Sequence, residues 1–199
     1  MDLLLATRNT HKTREIQQIL GPDFAVSDLC VHPEIAEIHE NGKSFEENAT
    51  LKAVAASRHF PGLVIADDSG LEVDALAGVP GIFSSRYAGQ AASDKQNIEK
   101  LLANLARMGT KAKRSARFRC VIALAQKGEL LGTFKGTVDG TIAEQPRGLH
   151  GFGYDPIFVP HGFERTFAEL SADVKNTISH RAKATHALAA KIAAFNLSD

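Results

Sequence analysis

The spacing of apolar residues changes part-way along the chain, and this limits the fold more than any other feature. Up to about residue 106, short apolar runs alternate with stretches of helical spacing. Asp2 to Thr7 forms a first short run, and Lys12 to Leu20 follows with Ile16, Ile19 and Leu20 on one helical face. Phe24 to Leu29 suits a second strand, and Ser44 opens a capping box with Glu47 for a helix running to about Phe60, where Pro61-Gly62 stops it. Leu63-Val64-Ile65-Ala66 is a buried strand by composition, ended by Asp67-Asp68-Ser69-Gly70, whose residues favour a tight turn. Leu76 to Gly89 is expected as an irregular loop, and Ser93 to Ala106 as a helix with a second capping box, Ser93 to Gln96. The period then becomes two: 116–125, 130–135 and 137–143 suit three antiparallel strands, the last two joined near Gly136, and 157–159 adds a short one. Ala184, Leu188, Ile192 and Phe195 stripe a C-terminal helix. The fold class expected is α/β with a mixed sheet.

Composition narrows what such a fold can do. A chain of 199 residues, 44% hydrophobic and 23% charged, with no visible linker, is expected as one domain over 1–199, or as two lobes sharing a core. Its 23 Lys and Arg balance its 23 Asp and Glu, so no positive excess argues for non-specific binding to nucleic acid or anionic lipid. An anionic ligand must therefore meet a local basic cluster. No uninterrupted apolar run reaches membrane-spanning length and no signal-peptide pattern follows Met1, so a cytoplasmic protein is expected. Cys30 and Cys120, each among apolar neighbours with no C-x-x-C pair, are expected as buried free thiols.

Four segments carry chemistry. Thr7-Arg8-Asn9-Thr10-His11-Lys12 lies between a strand end and a helix start, where amides, a Lys and an Arg suit a phosphate, although an ordinary capped turn has the same residues. It is not a G-x-x-x-x-G-K-[ST] loop. Asp67 and Asp68 point to opposite sides of the chain, so one can ligate a divalent cation while the other orients or deprotonates water, with magnesium the suitable ion. A further carboxylate is available among Glu34, Glu37, Glu40, Glu46 and Glu47, and Lys52 can neutralise a phosphate. Ser69 lacks the G-x-S-x-G context of a nucleophile. In His150-Gly151-Phe152-Gly153-Tyr154-Asp155-Pro156 an aromatic between two glycines suits a ring lying flat against a planar ligand, or a turn burying one aromatic. Lys175 with Ser179-His180-Arg181 places donors at the entry of the final helix. No H-x-x-x-H pair supports a zinc enzyme.

Taken in order, Thr7-x-Asn9-x-x-Lys12, Ser44-Phe45-Glu46-Glu47-Asn48-Ala49 through Lys52-Ala53, Ala66-Asp67-Asp68-Ser69-Gly70-Leu71, Gly78-x-Pro80-Gly81, Ser85-Arg86-Tyr87, Phe152-Gly153-Tyr154-Asp155-Pro156 and Ser179-His180-Arg181 resemble the inosine/xanthosine triphosphate pyrophosphatase family. The resemblance implies an elongated α/β fold, a long mixed sheet flanked by helices in two lobes with a central nucleotide-binding cleft, and a homodimer. It implies magnesium-dependent hydrolysis of non-standard purine nucleoside triphosphates (ITP, dITP, XTP) to monophosphate and pyrophosphate, with no nucleic-acid or membrane partner. By similarity, Asp68 is the proton acceptor and a metal ligand with Asp67 and Glu40, Glu37 competing for the last place. Thr7, Arg8, Asn9, Thr10, His11, Lys12 and Lys52 would hold triphosphate, and Ser69, Phe152, Gly153, Tyr154, Asp155, Lys175, His180 and Arg181 would complete the nucleotide site. Phe152 would stack on the purine, with His180 and Arg181 as donors to its oxygenated edge. Arg8, where many relatives have Gly, would add a phosphate contact or point to solvent. Two rivals remain: a related pyrophosphatase acting on other modified nucleotides, and a non-catalytic nucleotide- or RNA-binding module stacking bases on Phe152 and Tyr154.

Overall fold

The computed structural model describes residues 1–36, 38–109 and 113–196, with side chains to residue 194. Strands β1 (Asp2–Leu5), β2 (Ala25–Asp28), β3 (Leu63–Val73), β4 (Ser115–Gln126), β5 (Glu129–Ile142) and β6 (Phe158–Pro160) form one sheet in the order β2-β1-β3-β4-β5-β6. Around it lie α1 (Thr10–Leu20), α2 (Phe45–Ser57), α3 (Asp94–Arg107), α4 (Ala172–Ile178) and α5 (His180–Asn196). β1 runs parallel to both β2 and β3, as the helical crossovers α1 and α2 require, whereas β5 and β6 are antiparallel. The mixed α/β class expected above is what the chain adopts. No described helix is long and apolar enough to cross a membrane.

The chain divides into two compact units, the first comprising Met1–Asp68, Cys120–Gly136 and His180–Asp199, the second Ser69–Arg119 and Thr137–Ser179. Each has its own apolar core. In the first, Leu3 and Leu5 of β1, Ile65 of β3 and Ile122 and Leu124 of β4 pack with Ile16 of α1 and the Ala184, Leu188, Ile192 stripe of α5. The side chain of Phe195, the last member of that stripe, lies outside the described residues. In the second, Phe118, Phe158 and Phe167 pack ring against ring, Phe118 to Phe158 at 4.6 Å and Phe158 to Phe167 at 5.3 Å between centroids, with Ile98, Leu101 and Leu105 of α3 closing the core.

Local signals place the helices well. Asn9 caps α1 by accepting from the His11 and Lys12 amides, and Ser93 and Gln96 make the full reciprocal box at α3. At α2 only half the expected box forms, because Ser44 accepts from the Glu47 amide while the Glu47 carboxylate turns to the Lys43 amide. Lys175 lies inside the separate helix α4, not at the entry of α5.

Two expected turns are strands. Asp67-Asp68-Ser69-Gly70 continues β3, which runs unbroken to Val73; pairing within the sheet and buried ion pairs outweigh the turn preference of these residues. Gly136 joins nothing, for β5 passes straight through it. Its hydrogen instead faces the start of α5, where a Cβ would come within 2.0 Å of the His180 carbonyl oxygen. The true hairpin between β4 and β5 is Lys127-Gly128, both at positive φ (51° and 84°) as a two-residue connection needs. Two 3₁₀ turns, Asp74–Leu76 and Gly81–Arg86, occupy part of the expected loop 76–89. Cys120 is buried as expected, but Cys30 is exposed, since it follows β2 at the surface.

Candidate active site

In the first unit, the register of β1 with β3 ends at Leu5↔Ile65, so the next carbonyls of β3 on that side have no strand to bond. The Asp67 carbonyl fills this gap with two ammonium groups, Nζ of Lys52 at 2.9 Å and of Lys12 at 3.3 Å. Lys12 arrives from the first turn of α1 and Lys52 from the buried face of α2, so two helices aim cations at one strand position.

Alternation along β3 then separates the two carboxylates. Asp67 is wholly buried and both its oxygens are engaged: Oδ1 with Lys12 Nζ at 2.5 Å, Oδ2 with Arg181 Nε at 2.9 Å and the Cys120 thiol at 3.1 Å. Burial opposes its charge, but Arg181 and Lys12 outweigh burial and hold its carboxyl well below the usual range. Asp68 has the opposite balance. Burial raises its pKa, with a further push from Glu40, against the pull of Lys52 and Lys12. Its Oδ1 lies 3.5 Å from Lys52 Nζ, whereas Oδ2 is buried without a well-formed hydrogen bond, and the side chain of Asn48 beside the carboxyl adds a further pull downward. Glu40 receives Lys52 Nζ at 2.6 Å, so that ammonium lies between two carboxylates.

Of the three carboxylates expected as metal ligands, Asp68 and Glu40 both face Lys52 Nζ, while Asp67 is taken up by Lys12, Arg181 and Cys120. No described group of three His, Cys, Asp or Glu is arranged to hold a metal ion. Two carboxylates, one with a buried oxygen lacking a well-formed hydrogen bond, nonetheless suit Mg²⁺, which keeps several waters and completes its shell with substrate phosphates. Of the other acidic candidates, Glu34 pairs with His32, Glu46 with Lys135, and Glu47 with the Lys43 amide; Glu37 lies outside the described residues.

Around this pair, Thr7 Oγ1 accepts from the Asn9 amide, and the Asn9 side chain is occupied as the helix cap. Thr10 and His11 are exposed at the start of α1. Arg8 donates to two backbone carbonyls, those of Leu29 and Ile35. His180 and Arg181 open α5 as buried residues. Arg181, 2% exposed, has Nη1 at 2.6 Å from Glu15 Oε2 as well as Nε on Asp67, so these two nitrogens serve an internal ion network. Glu15, Asn48 and Cys120 were not among the expected site residues. Spacing carried a signal for two of them: Glu15 is three residues after Lys12 on α1, and Asn48 four before Lys52 on α2. Asn48 is fully buried and fixes the Gly42 amide.

The second unit holds the remaining candidates. Phe152 is half-buried between Gly151 and Gly153, both at positive φ (75° and 61°). A Cβ at Gly151 would sit 2.0 Å from Asp155 Oδ2, the oxygen that accepts the Phe152 amide and pairs with Lys175 Nζ. The same ammonium lies 5.0 Å from the Phe152 ring centroid, a cation–π arrangement. Ser69 is half-buried on β3, and the Gly153 amide donates to Asp94. Tyr154 is not a stacking platform: its ring is in the core at 4% exposure and its hydroxyl donates to the Ser84 carbonyl.

The model of the Ham1 family matches residues 3–191. The dITP/XTP pyrophosphatase of Bacillus subtilis (strain 168) is 48% identical over 184 residues, 92% of each chain. A HAM1 protein from Coxiella burnetii superposes with a TM-score of 0.86 at 40% identity, covering 97% of this chain and 98% of that one. The Staphylococcus aureus Ham1 protein superposes at 0.84 with 42% identity, covering 98% and 99%. A family match over almost the whole length, and the same fold in two solved relatives, place this chain in the Ham1 family.

Proposed function

We propose that the protein hydrolyses non-standard purine nucleoside triphosphates, ITP, dITP and XTP, to the nucleoside monophosphate and pyrophosphate. The carrying observation is Asp68, a buried carboxylate whose burial raises its pKa and which Lys52 and Lys12 face, with Oδ2 lacking a well-formed hydrogen bond. An anionic substrate answers both features at once, because it brings negative charge for the lysines and a reacting water for the carboxylate. The activity carried by the name of the Bacillus subtilis relative supports the same reading.

Lys12 and Lys52 bind the phosphates, Lys12 exchanging Asp67 Oδ1 for a phosphate oxygen. Glu40 and Asp68 would hold Mg²⁺, which supplies charge neutralisation on the phosphates and acidifies bound water. Asp68 Oδ2 takes a proton as the water oxygen bonds to phosphorus and the α–β bridging bond breaks, pyrophosphate leaving with the electron pair. Burial keeps the Asp68 carboxyl more basic than an exposed one, which favours this transfer. Phe152 presents a ring face for the purine, and Lys175 and Asp155 hold its loop. The protein works in the cytoplasm on the nucleotide pool as a homodimer, for which the exposed Val79 and Phe83 of the second unit offer apolar surface. Sedimentation as a monomer at micromolar concentration would refute the dimer.

The test is a magnesium-dependent panel of ITP, dITP, XTP, GTP and ATP, scored for pyrophosphate against orthophosphate. The expected result is pyrophosphate from the first three, with Asp68→Asn slower by at least about a hundredfold. Orthophosphate as the product, or near-normal turnover by Asp68→Asn, overturns the proposal.

A further inference from the structure

Arg8 leaves the loop after β1 and reaches across to the chain that follows β2. Its Nη1 donates to the Leu29 carbonyl at 2.6 Å and its Nη2 to the Ile35 carbonyl at 3.0 Å. The Leu29 amide donates back to the Thr7 carbonyl at 3.0 Å, and the Cys30 thiol lies 3.6 Å from the Arg8 carbonyl. A guanidinium is suited to this, since its planar donors engage two acceptors at once, whereas an ammonium is a single flexible point.

The tied segment leads to Glu40. Among the described residues between β2 and α2 there is no helix or strand, so no ladder of backbone hydrogen bonds sets the position of that carboxylate. Ile35, 1% exposed and bound by Arg8 at its carbonyl, precedes Glu40 by five residues, and Gly42, held by Asn48, follows it.

We infer that Arg8 is a positioning residue for Glu40: by clamping the Leu29 and Ile35 carbonyls it sets where Glu40 stands beside Lys52 and Asp68, and it does not bind phosphate. This rests on the proposed role of Glu40 as a metal ligand.

The test compares Arg8→Ala, Arg8→Lys and Glu40→Gln with the parent protein by two measurements. The first is hydrogen exchange of metal-free, nucleotide-free protein, with α2 peptides as internal reference. Arg8→Ala should speed exchange across 29–40 about tenfold, the result of losing about 1.4 kcal/mol from charged hydrogen bonds. Arg8→Lys should resemble Ala, because one ammonium cannot span both carbonyls. The second is a magnesium titration of ITP hydrolysis: Arg8→Ala should raise the magnesium requirement several-fold, and more than it raises the KM for ITP at saturating magnesium. Unchanged exchange over 29–40 overturns the inference. So does a raised KM with an unchanged magnesium requirement that Arg8→Lys restores, the signature of a phosphate contact. Glu40→Gln reports separately on the underlying assignment. If it leaves the magnesium requirement unchanged, Glu40 is not a ligand, and the exchange measurement alone decides for or against the clamp.

Discussion

Asp67 at the middle of β3 and Asp74 just beyond its end both pair with arginine, yet their surroundings give the pairs different weight. Asp67 is fully buried against Arg181 at 2% exposure, within a set that includes Lys12, Glu15 and Cys120. Asp74 is 40% exposed at its side chain and meets Arg117, itself 37% exposed, in a ladder that also takes in Glu72, Arg119 and Asp139. Water can replace any partner lost from the second set. In the first, a lost partner leaves a charge in a place where nothing solvates it. Similar chemistry thus fixes structure in one region and does little more than decorate a surface in the other.

The largest expected effect follows from breaking the buried set. Arg181→Ala removes the guanidinium that pairs with Asp67 Oδ2 and Glu15 Oε2 and should cost about 3–5 kcal/mol in urea unfolding. A loss under 1 kcal/mol would show that water enters this region and would erase the contrast.

Next in size is the opposition between Asp67 and Asp68, which pH can expose. The folded pKa of Asp67 lies below its ordinary 3.8, so its contribution to stability is present above that value and is lost as pH falls through the folded pKa. The folded pKa of Asp68 lies above 3.8, so its contribution is present below 3.8 and is lost as pH rises through the folded pKa. Asp67→Asn should therefore be less stable at neutral pH and flatter in acid. Asp68→Asn should be as stable as the parent or more so while losing turnover, the behaviour of a residue kept for chemistry at the expense of stability. Denaturant midpoints from pH 3 to pH 7 check both signs, and parallel curves for the two variants would contradict the assignment.

A smaller effect is expected at Lys12, partly exposed in the same set. Lys12→Ala should weaken triphosphate binding by about 1–3 kcal/mol and monophosphate binding by less. Calorimetry with ITP and IMP separates this from a general loss, which would be equal for both. Smallest is Arg117→Ala, where the exposed ladder predicts a change of about 0.2–1 kcal/mol that shrinks as salt is added. A larger, salt-insensitive loss would mean that the ladder is not the solvated set its exposure implies.

What the sequence revealed and concealed divides along similar lines. The starts of α2 and α3 were legible because capping is local: Ser44 and Ser93 each act within three residues. Lys12, Lys52 and Asp68 were legible because their residue types suit phosphate chemistry, and they do converge. Asp67-Asp68-Ser69-Gly70 has the residue types of a turn, and what keeps it extended is distant: Arg181 is 114 residues away in the chain. Gly136 likewise suggests a turn by residue type, while its meaning resides in α5. Tyr154 has a residue type that serves both stacking and core packing, and only its hydroxyl partner Ser84 settles which. Arg181 showed its charge in the sequence, but not that Asp67 and Glu15 engage it.

Gly136 bears on how the protein tolerates change. The His180 carbonyl and the Ala184 amide lie where its side chain would begin, at 2.0 and 2.7 Å from a Cβ, so the axis of α5 is set by the absence of an atom on β5. Even a methyl group there must push the helix start outward, and Arg181 would move with it, away from Asp67. A substitution mild by every measure of polarity and volume would then reach the ion network without touching any of its members. A position on β5 that carries no chemistry of its own is thus a consequential one for engineering or for inherited variation.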